Sequence, residues 1–181
     1  MRLIGVFILV FFLMISVQAG TDHETPSEYQ VKAAFIYNFA KFVDWPDSAD
    51  IKNADTMTIG IMGKNPFEDI LDQIAASKTV NGHAIKVIYS DDRSDLDKCH
   101  IVFIANDKKD IDKQVLEHLH LNGVLSVSDC QGFANHGGII GFVTIEGKVK
   151  FEINKAAADR AHLHLSSKLL KLAINTIGNG D

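Results

Sequence analysis

Cysteine is scarce in this 181-residue chain: Cys99 and Cys130 are its full complement, too few for the disulfide framework that holds small secreted scaffolds together. No apolar run approaches the roughly 20 residues that span a bilayer. Basic residues are outnumbered, 18 against 23, for a net charge of −5, and they form no cluster. That excludes a nucleic-acid surface, which needs gathered Lys and Arg to neutralise phosphates. The signatures of a zinc protease, a C-x-x-C redox or zinc site, a phosphate-binding P-loop and a G-x-S-x-G hydrolase are all missing. Apolar periodicity runs through the rest, which excludes a disordered chain.

The first residues belong to a different category. Arg2 precedes the apolar stretch Leu3–Ile15, which leads to Val17-Gln18-Ala19. A positive start, a short apolar centre and a small-residue exit are the layout of a secretory signal peptide. Residues 1–19 are therefore expected to be removed on export, leaving 20–181 as a single domain.

Thr25-Pro26-Ser27-Glu28 reads as a capping box, with Thr25 at the N-cap, Pro26 opening the helix and Glu28 closing the box. The helix is expected to run to about Asp44, where Trp45-Pro46 ends it. Gln30, Asn38, Lys41 and Asp44 gather on one narrow stripe, and well over half of the circumference is apolar. One-sided packing on a sheet needs a stripe of only about 100°, so a second contact is expected, from within the domain or from another chain. Phe35, Phe39 and Phe42 are the candidates for a partner or dimer surface, because aromatic residues dominate interface energetics.

Strands are expected at Met57–Met62, Ala84–Tyr89, Ile101–Ala105 and Gly123–Val127, with helices at Phe67–Ala76 and from Asp107 to about His120. Strand–helix–strand spacing implies right-handed βαβ units and a mostly parallel sheet. Gly137–Ile145 and Lys148–Ile153, joined by Glu146-Gly147, form a hairpin whose second strand points Val149, Phe151 and Ile153 inward. Asn154 caps a short helix to about Ala161, and a final helix begins near Ser166. The expected fold is one three-layer α/β domain: a mostly parallel sheet, a C-terminal antiparallel hairpin, and helices on both faces.

Histidines His118/His120 and His162/His164 stand two apart, about 200° apart on a helix, where one ion cannot be shared. The Ser166-Ser167-Lys168 cluster lacks the S-x-x-K spacing of a Ser/Lys dyad and reads as a helix N-cap. No catalytic, cofactor or metal site is therefore expected. A small-ligand pocket, if there is one, belongs at the strand ends, where open α/β sheets place ligands. Gly63 and Asn65 leave one strand, and Ser128, Asp129, Gly132 and Gly138 belong to the loop that leaves another. Cys99 precedes one strand and Cys130 follows the next. In a parallel pair they stand roughly 15–20 Å apart, out of disulfide reach.

The opening helix Glu28–Pro46, Lys78-Thr79-Val80-Asn81-Gly82, Cys99–Ile104, the Ser128–Gly138 loop and Phe151–Ala173 with its FEIN and SSKLLKLA segments resemble the YfiR family in order and over essentially the whole chain after Ala19. The resemblance implies a small periplasmic α/β protein without catalytic activity. Its implied partner is the periplasmic sensor region of an inner-membrane diguanylate cyclase, held inactive so that cyclic di-GMP and biofilm formation stay low. Family members can carry further cysteines that form disulfides; this chain has two cysteines only. A homodimer, a membrane sensor kinase as partner, and a periplasmic small-ligand-binding protein are the alternatives.

Overall fold

The computed structural model describes residues 26–46, 55–106 and 111–178; the expected signal peptide, Thr25 and residues 107–110 lie outside them. Helix α1 spans Glu28–Phe42. Its cap is Ser27 rather than Thr25: the Ser27 hydroxyl accepts from the Gln30 amide at 3.2 Å, and the Gln30 side chain accepts from the Ser27 amide at 2.6 Å. The capping box thus closes two residues later than the Thr25–Glu28 reading placed it. The helix also stops before Asp44, because Val43–Asp44 (β1) pairs antiparallel with His164–Leu165 (β9).

The main sheet has eight strands. In chain order these are β2 (Thr56–Met62), β3 (Thr79–Val80), β4 (His83–Tyr89), β5 (Ile101–Ile104), β6 (Leu125–Ser128), β7 (Ile140–Ile145), β8 (Lys148–Asn154) and β10 (Asn175–Ile177). They lie side by side as β10-β8-β7-β6-β5-β2-β4-β3. Strands β4, β2, β5, β6 and β7 are mutually parallel; β8 returns antiparallel to β7, and β3 antiparallel to β4. Asn81 and Gly82 both take positive φ, 50° and 88°, the backbone that a two-residue hairpin turn requires and an Asn-Gly pair supplies most easily.

The connecting helices are α2 (Ile70–Ser77), α3 (Arg93–Leu96), α4 (Lys113–Leu121), α5 (Lys155–Arg160) and α6 (Ser167–Leu172). Helix α2 starts three residues later than the apolar spacing implied, since Glu68 turns through φ 52° and Phe67 is fully buried. Helix α4 begins at Lys113 because the Asp112 side chain caps it. The charged segment Ser90–Lys98 contains α3, capped by Asp92 and anchored by the buried Leu96. Asn154 and Ser166 cap α5 and α6 as their sequences indicate.

Chain direction reverses at the centre of the sheet. From β2 the chain crosses through α2 to β4 on one side, and from β5 through α4 to β6 on the other. Right-handed crossovers in opposite senses put α2 and α4 on opposite faces. Helix α1 joins the α2 face. Phe35 and Phe39 meet Phe142 and Phe151 of the hairpin with ring centroids 5.1–6.0 Å apart. The register continues the same face through Ile140↔Ile153, Val127, Phe103 and Ile61, and all of these side chains are buried. At about 25 cal/mol per Å² of apolar surface removed from water, burial of this aromatic–aliphatic layer stabilises the domain.

Candidate functional site

A doubly wound sheet leaves its crevice at the carboxyl ends of the strands flanking the reversal, here β2 and β5. In this protein the neighbouring chain fills that crevice. Phe67 packs edge-on against Phe103 at 4.8 Å and against Tyr29 of α1 at 5.4 Å. The Tyr29 hydroxyl donates to Asp129 at 2.9 Å, and the Lys32 ammonium lies 2.6 Å from the same carboxylate oxygen and 2.6 Å from Glu28. The Lys32 and Asp129 side chains are only 3% and 7% exposed, so this is a buried ion pair tying the start of α1 to the end of β6.

Burial works against the Lys32 ammonium, but its hydrogen bonds to Asp129 and Glu28 outweigh burial and hold its pKa above the ordinary value. Burial, together with the Asp129 carboxylate, likewise raises the Tyr29 phenol. Asp129 Oδ1 is buried without a hydrogen-bond partner. Neither Lys32 nor Tyr29 figured among the sequence candidates. The available signal was Lys32 itself, a cation that lies outside the polar stripe of α1 and in the phase of Ala33, Ile36 and Phe39.

The strand-end candidates are engaged in local structure. Asn65 donates to the Glu68 carbonyl at 2.7 Å and accepts from the Phe67 amide at 2.9 Å. The Gly63 amide donates to Asp91 at 2.9 Å. Ser128 donates to the Ile104 carbonyl and accepts from the Cys130 amide. Gly132 turns through φ 71°. A Cβ on Gly138 would stand 2.0 Å from the Phe133 ring, so glycine is required there by the close approach of that ring. Asp129 is the member of this set that forms an ion pair, with Lys32 of α1.

On α1, Phe39 is 1% exposed and belongs to the core, so it offers no surface. Phe35 and Phe42 are half-buried, and the Lys168 ammonium covers the Phe42 ring at 4.8 Å. Much of the apolar surplus is taken up within the domain, because α1 is flanked by α2 and β3 as well as by α6 and the hairpin. Tyr37 donates to the Thr79 carbonyl at 3.2 Å. Gln30, Ala34, Asn38 and Lys41 form the exposed face. A groove of about 390 Å³ runs beside Phe35 and Val31 along Lys148, Val149 and Lys150.

The opposite side of the molecule holds a larger open cleft of about 700 Å³ between α4, α5 and the loop joining β6 to β7. Its walls include Lys113, Leu116, Leu121, His136 and Arg160. His118 and His120 diverge as their spacing requires. His118 pairs with Asp97 at 2.8 Å, whereas His120 lines the cleft at 6% exposure, its Nε2 buried and unpartnered. Burial, and secondarily the Arg160 charge, push the His120 pKa down to about 4, leaving a neutral imidazole at neutral pH. Cys99 is buried, and burial aided by Asp95 and Asp97 pushes its thiol up to about 12; no disulfide joins it to Cys130.

The sequence profile of the YfiR/HmsC-like family matches residues 29–174. No curated protein matches. Among solved structures, a conserved domain protein from Vibrio cholerae is similar at TM-score 0.51 and 14% identity, over 83% of this chain and 60% of that one. A domain from Streptococcus pneumonia titled as the ABC domain in complex with L-Trp aligns at TM-score 0.49 and 12% identity, over 82% of this chain and 60% of that one. This chain therefore spans about three-fifths of each of those structures, and the likeness to the Vibrio protein is one of fold.

Proposed function

Because the chain belongs to the YfiR/HmsC-like family, we propose that it is a periplasmic regulatory binding protein that holds an inner-membrane diguanylate cyclase inactive through the cyclase's periplasmic region. The observation that carries this reading is the family match across residues 29–174. The filled crevice supports it: where a doubly wound enzyme would open a substrate site, Phe67, Tyr29, Lys32 and Asp129 pack against one another. An enzyme site also needs a nucleophile–base pair or convergent carboxylates beside a space for substrate, and the strand-end residues instead spend their polar groups on neighbouring backbone and on α1.

Partner contact falls to Phe42 and to the groove beside Phe35, the half-buried part of α1. Lys148 and Lys150 on that groove's rim suit an acidic or amide-rich partner segment. The test is deletion of the gene. Cyclic di-GMP and surface attachment rise in the deletion strain and return to normal when the full-length chain is restored. A form lacking residues 1–19, and so retained in the cytoplasm, does not restore them. Unchanged nucleotide levels in the deletion strain overturn the cyclase assignment.

A further inference from the structure

The cleft between α4 and α5 has the makings of a ligand site that the regulatory reading does not use. Its volume, about 700 Å³, lies within the range of small-molecule pockets. Its polar and apolar groups are segregated. Arg160 comes from the end of α5 and Lys113 from the start of α4, and among the described residues no carboxylate pairs with either. Leu116 and Leu121 supply an apolar wall, and Leu121 is 79% exposed, an uncovered leucine beside these two cations. Below them His120 is buried with Nε2 unpartnered. Such an orphaned buried group costs stability and marks a place where a partner is absent.

We propose that this cleft binds a small amphipathic carboxylate, its charged end held by Arg160 and Lys113 and its apolar body laid against Leu116 and Leu121. The lining charge argues for a singly charged ligand: Lys113 and Arg160 against Glu117 sum to one net positive charge. A phosphate dianion would leave a charge uncompensated and the leucine wall unused. The guanidinium of Arg160 suits a carboxylate, which it can engage with two parallel hydrogen bonds. Binding also alters the field at His120. The other titratable groups lining the cleft are Arg160, Lys113, Glu117 and His136, and of these Arg160 is the charge that acts on the imidazole. An anion on Arg160 offsets the charge that disfavours the imidazolium, so a bound ligand raises the His120 pKa.

The inference is independent of which membrane protein the chain regulates. Its test uses the protein purified from the periplasm after expression of the full-length chain, followed by NMR. Phenylacetate is expected to shift amides of α4, α5 and residues 135–137 saturably and to move the His120 ring titration upward. Phenylacetamide, which keeps the shape and loses the charge, binds at least about tenfold more weakly, as does inorganic phosphate. Arg160→Ala weakens phenylacetate at least about tenfold, a loss of about 1.4 kcal/mol, without changing the melting temperature. Lys113→Gln serves as the second variant and weakens it in the same direction. Equal binding of the amide, equal binding of phosphate, unchanged affinity in both variants, or shifts confined to another surface would each overturn the proposal. So would the absence of saturable binding by both phenylacetate and hexanoate at about millimolar concentration, the weak end of specific affinity.

Discussion

The two faces of the sheet treat charge in opposite ways. On the α1 face a lysine and an aspartate are buried together, 2.6 Å apart, with Tyr29 and Glu28 completing the cluster. On the α4 face two cations stand open around a cleft, and the buried imidazole beneath them has an unpartnered nitrogen. Burying one member of an ion pair costs several kcal/mol, and the cost is recovered only when its partner is in place with good geometry. The α1 cluster meets that condition at Asp129 Oδ2, with Oδ1 alone left without a partner among the described residues, and acts as structure, locking the helix over the crevice. The α4 cleft does not meet it, and polar groups left without protein partners are the ones available to a ligand.

Breaking the α1 face most severely means removing Phe39. Phe39→Ala leaves a cavity between α1 and the Phe142–Phe151 pair and is expected to cost about 3–5 kcal/mol, read by urea denaturation. Phe42→Glu, on the half-buried side of the same helix, is expected to change stability by less than about 1 kcal/mol while weakening partner association. If both variants lose stability equally, the division of α1 into core and partner sides is wrong.

Lys32→Met comes next. It leaves Asp129 buried with Tyr29 as its remaining donor and is expected to cost about 3 kcal/mol. Replacing both charges, Lys32→Met with Asp129→Leu, recovers most of that loss, because no uncompensated charge remains. A double variant as unstable as the single one would show that the pair contributes more than mutual compensation.

The pH dependence sharpens the α4 side. His120 has a folded pKa of about 4, below its unfolded value of about 6.5. The unfolded chain therefore binds more protons between these values. The stability that comes from keeping His120 neutral is present above about pH 6.5 and is lost as pH falls toward 4. At about 1.4 kcal/mol per pKa unit, the loss is about 3 kcal/mol. His120→Leu removes this part of the acid sensitivity, measured as unfolding free energy at pH 7 and pH 4.5.

Gly138→Ala is expected to cost less than the Phe39, Lys32 or His120 changes. Its Cβ must displace the Phe133 ring, an overpacking cost of about 1–3 kcal/mol read as a lower melting temperature. An unchanged melting temperature would mean that Phe133 relocates easily and that the glycine is not held there by packing.

Local chemistry made much of the fold legible. The mostly parallel sheet, the C-terminal hairpin and the Asn154 and Ser166 caps all follow from spacing and turn residues. The short pairings did not. The β1–β9 ladder and β10 are only two or three residues long, and their partners lie far away in sequence or gain meaning only once the sheet exists. The helix α1 start was misplaced by two residues because Thr25-Pro26 and Ser27-Gln30 compete for the same cap. Candidate sites were harder to read. Strand-end residues were identifiable by position, but whether Asp129 faces solvent or Lys32 depends on where α1 docks, which no local pattern encodes. The α4–α5 cleft joins Lys113 to Arg160 across 47 residues, and its buried histidine resembles any other histidine in the sequence.

The central claim is regulation of cyclase activity from the periplasmic side. Spheroplasts of a deletion strain expose the outer face of the inner membrane, and they can be bathed in protein purified from the periplasm while cyclic di-GMP is measured. Added protein is expected to lower the nucleotide pool, and the Phe42→Glu variant to lower it less at the same concentration. A pool that does not change while the added protein is bound at the spheroplast surface would contradict the account.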